Sequence, residues 1–353
     1  MFVDILLKHY NKYPLMRIDD FVKLIYQSEF GAHFNPNYDV ILQGIEEECR
    51  NLTPQIKPTM PISSNLVRVD LQDCLYKGVK FSILANMFCL SSLEGNQESI
   101  CQKFDILLDL IQSKKINLSL NATKAFLINY KKSPYALSHS MAYSKNYQPH
   151  YRVIDSKLWQ LYKVIEIIEG IADKKGTVVV AFEGCSASGK TTTAGIIKNY
   201  FGSRCNLFHT DNFFLPQSLK TKERLAEIGG NINYEKLQEL LHSIRQGQVV
   251  GYQSFDCHTQ TFTNISLPPS NINIVEGVYS LHPTLIKNYD QIFLFSVDKY
   301  VQQQRITLRD GQEGLKQYNE VWLPLENKYL NSLALQGEVN YIDANDLDNI
   351  IIK

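Results

Sequence analysis

The apolar positions of this chain change their period near its middle. Over the first 155 residues they recur every three to four positions, as in "RIDDFVKLIYQSEF", "YDVILQGIEEECRNL", "FSILANMFCLSSL" and "ESICQKFDILLDLIQSKK". That spacing puts the apolar side chains on one face of a helix and predicts a run of amphipathic helices. "SNLVRVDLQD" alternates instead and predicts a strand. From Thr177 the pattern turns to short β-branched runs, "TVVVAF", "NLFHTDNFF", "NINIVEG" and "QIFLFSV", separated by helical segments. This alternation predicts βαβ units around a parallel sheet.

Between the two patterns lies "WQLYKVIEIIEGIADKKG", which predicts one amphipathic helix ending at Lys174–Gly176. The expected organisation is a mainly α-helical N-terminal domain over 1–160 and an α/β domain over 161–353. No internal repeat or low-complexity tract interrupts either part.

Composition changes this picture little. The 353 residues are 44% apolar and 20% charged, enough for two cores of ordinary size. The 36 basic and 36 acidic residues cancel, so charge gives no reason to expect a nucleic-acid partner. Tyrosine is abundant, at 20 residues, without suggesting a function. The seven cysteines, at 49, 74, 89, 101, 185, 205 and 257, are odd in number and form no C-x-x-C pair, which argues against a disulfide framework and a zinc site. "MFVDILLKHYNKYP" has helical spacing rather than a signal-peptide layout, and no apolar run reaches the roughly 18 residues of a membrane span. No membrane partner and a cytoplasmic location are the expectations.

One stretch carries chemistry outright. "GCSASGKT", Gly184–Thr191, fits G-x-x-x-x-G-K-[ST] at each required position, after an apolar strand and before the helix "TTAGIIKNYF". Such a loop turns its amide N–H groups toward phosphate oxygens, and the helix N-terminus adds partial positive charge. Gly184, Cys185, Ser186, Ala187, Ser188, Gly189, Lys190, Thr191 and Thr192 form the predicted nucleotide cradle. Lys190 would neutralise the β- and γ-phosphates, and the Thr191 hydroxyl would ligate Mg²⁺.

Downstream residues extend the site. Asp211, in "HTDNFF", follows the second apolar strand, where strand ends of an open parallel sheet line the ligand crevice. A carboxylate there could take a proton from an attacking hydroxyl and neighbour the metal. Glu276 closes the strand "NINIVEG" and could hold Mg²⁺ directly or through water. Arg305 and Arg309, in "RITLRDG", fall at i and i+4 on one helical face and suit a lid that neutralises phosphate charge.

Taken in this order, "FEGCSASGKTTTAGIIKNYF", "HTDNFF", "NIVEGVYSLHPTLIKNYDQIFLFSVD" and "RITLRDG" resemble the uridine kinase and phosphoribulokinase family of P-loop kinases, over about residues 177–330. The resemblance implies a P-loop NTPase fold and transfer of the γ-phosphoryl group of ATP, with Mg²⁺, to a hydroxyl of a small nucleoside- or sugar-like metabolite. It implies Asp211 as general base and metal neighbour, Glu276 as completing the metal environment, and Arg305 and Arg309 as lid residues. "GYQSFDCHTQTF" corresponds, with a one-residue difference in spacing, to a nucleobase-contacting segment, which implies Tyr252, Phe255 and His258 as substrate-pocket residues. Where the family carries an acidic ribose-binding residue, this chain has Asn231 and Asn233, neutral amides that can still bond a hydroxyl. Asn233 joins the substrate candidates, and a pyrimidine nucleoside does not follow automatically. A sugar or vitamin alcohol stays open as acceptor, as do a homo-oligomer and a second class of function, an ATP-binding module whose occupancy controls the N-terminal half. "EVWLPLENKY", Glu320–Tyr329, has no counterpart in the resemblance and is expected to close the pocket or to pack; Trp322 within it reads as core.

The N-terminal half holds weaker signals. "SEFGAHFN" carries Glu29, Gly31 and His33; "SPYALSHSMAYSKNYQPHYRVID" carries His139, His150 and Arg152 among tyrosines. These read either as an ordered connector with satisfied histidines, the favoured reading, or as a second small-molecule site.

Overall fold

The computed structural model describes residues 1–32, 37–131, 135–256, 259–333 and 339–346, with the backbone of 351–352. The chain divides into two compact units, Met1–Tyr162 and Lys163–Lys353. Among the described residues no helix is long and apolar enough to cross a membrane, and the six described cysteines are free thiols.

The first unit is mainly helical. Helices α1 (Phe2–Lys12), α2 (Ile18–Phe30), α3 (Tyr38–Cys49), α4 (Leu71–Lys77), α5 (Phe81–Leu90), α6 (Gln97–Gln112), α7 (Leu120–Tyr130), α8 (Met141–Tyr147) and α9 (Ser156–Gln160) surround a small antiparallel sheet of β1 (Met60–Pro61), β2 (Leu66–Asp70) and β3 (Tyr151–Asp155), in that order. Polar residues start several helices by bonding orphan N–H groups: Asn96 accepts from Glu98 and Ser99, Ser140 from Tyr143, and Asp155 from Lys157 and Leu158. The core joins Phe21, Leu24 and Ile25 of α2 to Ile100, Phe104 and Leu107 of α6, all fully buried.

Most of the singled-out residues here are tied into this frame. Glu29 accepts from Ser99 Oγ at 2.6 Å and pairs with Lys103. Gly31 has φ +69°, and a Cβ there would meet the Ser91 carbonyl oxygen at 1.9 Å. His150 and Arg152 both pair with Glu48, at 2.7 and 2.9 Å. His139 bridges Asp20 and the Tyr151 hydroxyl, each at 2.8 Å. His33 lies outside the described residues.

The second unit is a P-loop α/β fold. Strands β4 (Val178–Gly184), β5 (Cys205–His209), β8 (Ile272–Glu276), β9 (Gln291–Ser296) and β10 (Val339–Asp343) form a parallel sheet in the order β5-β8-β4-β9-β10, with β11 (Ile351–Ile352) antiparallel on β10. Strand β4 is buried at every residue, as the apolar run over 178–182 requires of a central parallel strand. Helix α10 (Tyr162–Lys175) precedes it, and α11 (Lys190–Phe201), α12 (Lys222–Ala226), α13 (Tyr234–Arg245), α14 (Lys299–Gln317) and α15 (Leu323–Ser332) complete the unit. A separate antiparallel pair, β6 (Val250–Asp256) and β7 (Thr261–Leu267), forms where the sequence suggested a substrate-contacting segment. Cys257 and His258, between these strands, lie outside the described residues.

Candidate active site

The turn from β4 into α11 places Gly184, Ala187 and Gly189 at φ +150°, +60° and +90°. Gly184 is also fixed by crowding, since a Cβ there would sit 2.4 Å from the Phe295 carbonyl oxygen of β9. Three left-handed residues in so short a turn orient successive N–H groups as an anion cradle requires. Lys190 opens α11 and is buried. Its ammonium donates to the carbonyls of Gly184 and Cys185, both at 2.8 Å, and reaches Ser188 Oγ at 3.5 Å.

Parallel pairing brings the next groups to the same edge. Glu276 lies beside Phe182 of β4 and His209 of β5. Its carboxylate accepts from Thr191 Oγ1 at 3.0 and 3.1 Å and meets His209 Nδ1 at 2.5 Å. That bond first, and the Glu276 and Asp211 charges after it, raise the His209 pKa against burial. Asp211 stands two residues on, in a short 3₁₀ turn (Thr210–Phe213). Its side chain keeps exposed surface, yet lies in a crowded cleft. Desolvation and then Glu276 push its pKa up; Lys190, His209 and Arg309 pull it down. The structure therefore gathers Lys190, Thr191, Asp211, Glu276 and Arg309 around one edge of the sheet.

The two arginines do not share one task. Arg305 donates to Ala187 O at 3.2 Å, Ala344 O at 2.7 Å and Asn345 O at 3.2 Å, tying the P-loop to the end of β10. Arg309 bonds Asp310 and the Tyr318 hydroxyl and stays half exposed. Both precede Gly311, whose φ of +73° and ψ of −174° break α14. Arg305 thus clamps the P-loop, while Arg309 is held by Asp310 and Tyr318 and its charge lowers the Asp211 pKa.

The chain after α14 supplies what sequence reasoning missed. A π-helical turn (Tyr318–Trp322) leads into α15. There Glu326 accepts from Ser186 N at 2.8 Å and Ser186 Oγ at 2.5 Å. Three residues on, the Tyr329 hydroxyl donates to Glu183 Oε2 at 2.6 Å. Glu183 is fully buried and also accepts from Gly184 N, Leu281 N and Ser280 Oγ. Burial raises its pKa to about 6. A glutamate inside an apolar strand was a readable signal for Glu183. Nothing local marks Glu326, which lies 140 residues from Ser186.

Two cavities flank the turn at Asp211. One, of about 520 Å³, has Ser186, Asp211, Asn231, Tyr279, Trp322 and Glu326 in its walls. The other, of about 500 Å³, takes Asn212, Asn233 and Tyr252. Asn233 caps α13 by accepting from Lys236 N, Tyr252 stacks on Phe213 at 5.2 Å, and Phe255 is buried against Phe262. The structure thus sets Asn233, Tyr252 and Phe255 apart from the Asp211 cavity, and places Asn231 and Trp322 in its wall.

The residues present fit a nucleoside triphosphate and Mg²⁺. The turn supplies a left-handed N–H cradle with one buried lysine. Thr191 and Glu276 offer hard oxygen donors 3.0 Å apart. Among the described residues no cluster of three or more His, Cys, Asp and Glu could hold a metal alone. Mg²⁺ asks for no such cluster, since it keeps waters and phosphate oxygens beside one or two protein groups.

The second unit has a P-loop kinase fold, with the loop between β4 and α11 at the edge of the parallel sheet. No family model matches the chain. It is similar to the uridine kinase of Staphylococcus haemolyticus, 27% identical over 178 residues, covering 46% of this chain and 86% of that protein. The uridine kinase of Staphylococcus aureus is 25% identical over 180 residues, covering 47% and 87%. A Bacillus stearothermophilus structure described as a possible uridine kinase aligns at 18% identity and TM-score 0.36, over 48% of this chain and 93% of its own. The sequence matches to the two staphylococcal uridine kinases cover about half of the chain and support a kinase-like function without naming an acceptor.

Proposed function

We propose that the second unit transfers the γ-phosphoryl group of ATP to a hydroxyl of a small nucleoside- or sugar-like metabolite. The observation that carries this reading is that Asp211 and the P-loop residue Ser186 line one cavity. A carboxylate that faces both an acceptor space and a phosphate cradle can orient a hydroxyl and accept its proton. Burial and the Glu276 charge raise its pKa, which makes it the stronger base once ionised. Mg²⁺, held through Thr191 and Glu276, would supply charge neutralisation on the phosphates. Lys190 and Arg309 add fixed positive charge, and Gly184–Thr191 holds the nucleotide. Asn231 offers the acceptor an amide, while Tyr279 and Trp322 offer it flat apolar walls. A cytoplasmic location, with no nucleic-acid or membrane partner, belongs to the same reading.

The test is an ATP-consumption screen of the whole chain over nucleosides, sugars and vitamin alcohols, with mass detection of the product. A phosphorylated acceptor formed only with ATP and Mg²⁺ is expected. Nucleotide binding with a conformational response and no product from any acceptor would favour a regulatory module instead.

A further inference from the structure

The first unit contains a cavity of its own, of about 380 Å³, walled by His9, Lys12, Lys57, Arg68, Tyr143 and Tyr151 among others. Arg68, on β2, is 5% exposed. Its Nε and one terminal nitrogen both donate to a single neutral acceptor, Gln27 Oε1, at 3.1 and 2.7 Å. Its guanidinium lies over the Tyr151 ring at 4.5 Å. Among the described residues it makes no ion pair. The buried carboxylate of that region, Asp20, is taken up by His139, by Ser140 and by the N–H of Arg17. A buried cation without a counter-charge is costly, and its neighbours register the field. Burial first, and Arg68 among the charges after it, push His9 down to about 3, Lys23 to about 8 and His139 to about 4. At the rim Lys12 adds a further cation, while Lys57 is matched by Asp70 at 3.5 Å.

Two more polar groups in the same wall lack partners. His9 is fully buried and its Nε2 meets the Pro61 carbonyl at 2.9 Å. A carbonyl can only accept, so Nε2 carries the proton and Nδ1 is a bare acceptor; Nδ1 has no hydrogen-bond partner among the described residues. Tyr143 is 2% exposed, and its hydroxyl too has none among them. The walls therefore hold a guanidinium that has an amide partner but no counter-charge, and a phenol without a hydrogen-bond partner, with the buried His9 Nδ1 behind them.

We infer that the first unit is a ligand-binding module whose Arg68 cavity takes a small hydroxylated oxyanion, a phosphate monoester or a hydroxy acid. With its Nε edge held by Gln27, Arg68 keeps the edge of its two terminal nitrogens for phosphate or carboxylate oxygens. A ligand hydroxyl can bond the Tyr143 phenol, and the tyrosines cover its body. The site lies wholly within Met1–Tyr162 and does not depend on the function proposed for the second unit.

The test uses the full chain with saturating ADP and Mg²⁺, so that the P-loop is already filled. Inorganic phosphate, D-ribose 5-phosphate and D-gluconate are titrated by calorimetry, with neutral D-ribose as control. At least one oxyanion is expected to bind, more weakly as salt rises, and D-ribose is not. The phosphate and gluconate arms tell the two anion sources apart. Arg68→Gln should weaken binding at least tenfold while leaving ADP affinity unchanged. Should that variant not fold, Tyr143→Phe and the rim variant Lys12→Gln still decide, each with an expected loss of several-fold. Absence of binding by all three anions, or wild-type affinity in the variants that fold, would overturn the inference.

Discussion

Glu326 of α15 holds the P-loop at Ser186, one carboxylate oxygen on the backbone N–H at 2.8 Å and the other on the hydroxyl at 2.5 Å. A negative charge thus sits on the rim of a cradle shaped for phosphate, in the wall of the Asp211 cavity. Burial raises its pKa, and Asp211 opposes its ionisation further.

That placement sets Glu326 against the nucleotide. Like charges brought together disfavour binding. Glu326→Gln should therefore tighten ATP affinity by roughly tenfold, about 1.4 kcal/mol, and raise KM for the acceptor. Calorimetry with a non-hydrolysable ATP analogue measures the first effect, and steady-state kinetics the second. Weaker nucleotide binding in the variant would make Glu326 a support of the loop instead.

The two arginines of α14 should separate by experiment. Arg305 satisfies three backbone carbonyls around the P-loop, so Arg305→Ala should lower unfolding free energy by about 1–3 kcal/mol. Arg309 is half exposed and bears on Asp211, so Arg309→Ala should lower kcat with little change in stability. Urea unfolding beside turnover rates distinguishes them.

Acceptor recognition should follow the cavity that contains Asp211. Asn231→Ala and Trp322→Ala are expected to raise the acceptor KM about tenfold or more. Tyr252→Phe, in the other cavity, should leave it within about twofold. An acceptor KM that responds to Tyr252 and not to Asn231 would move the pocket across the Asp211 turn.

Glu183 makes stability depend on pH. Its carboxyl titrates near 6 when folded, against 4.5 ordinarily. Below pH 4.5 both states are protonated. Between 4.5 and 6 the unfolded chain gives up the proton that the folded chain keeps, so stability falls as pH rises through that window, by about 2 kcal/mol in all. Glu183→Gln should remove that slope, read as the difference between the two proteins in urea unfolding from pH 4.5 to 7.

What was legible in the sequence was local. The P-loop, the strand before it and the helix after it announce themselves because one strand–turn–helix needs those residues at those spacings. Asp211 and Glu276 were readable as strand ends, and parallel pairing then carried them to the same edge. Long-range contacts left no such trace. Glu326 meets Ser186, and Tyr329 meets Glu183, across 140 and 146 residues, and no period in "EVWLPLENKY" records a partner so distant. The β6–β7 pair was expected in the pocket only through the resemblance of "GYQSFDCHTQTF" to a nucleobase-contacting segment, and a motif match with shifted spacing does not record which cavity its side chains line. Arg305 and Arg309 were placed correctly on one helix, but spacing could not tell which one the P-loop carbonyls would claim.

The central claim is that Asp211 faces an acceptor hydroxyl beside a bound ATP. Its most direct test compares wild type and Asp211→Asn, with the acceptor from the metabolite screen, by the rate of phosphorylated product and by ATP affinity. The account predicts a rate about 100- to 10,000-fold lower with ATP affinity nearly unchanged. Turnover by Asp211→Asn near the wild-type rate would contradict it.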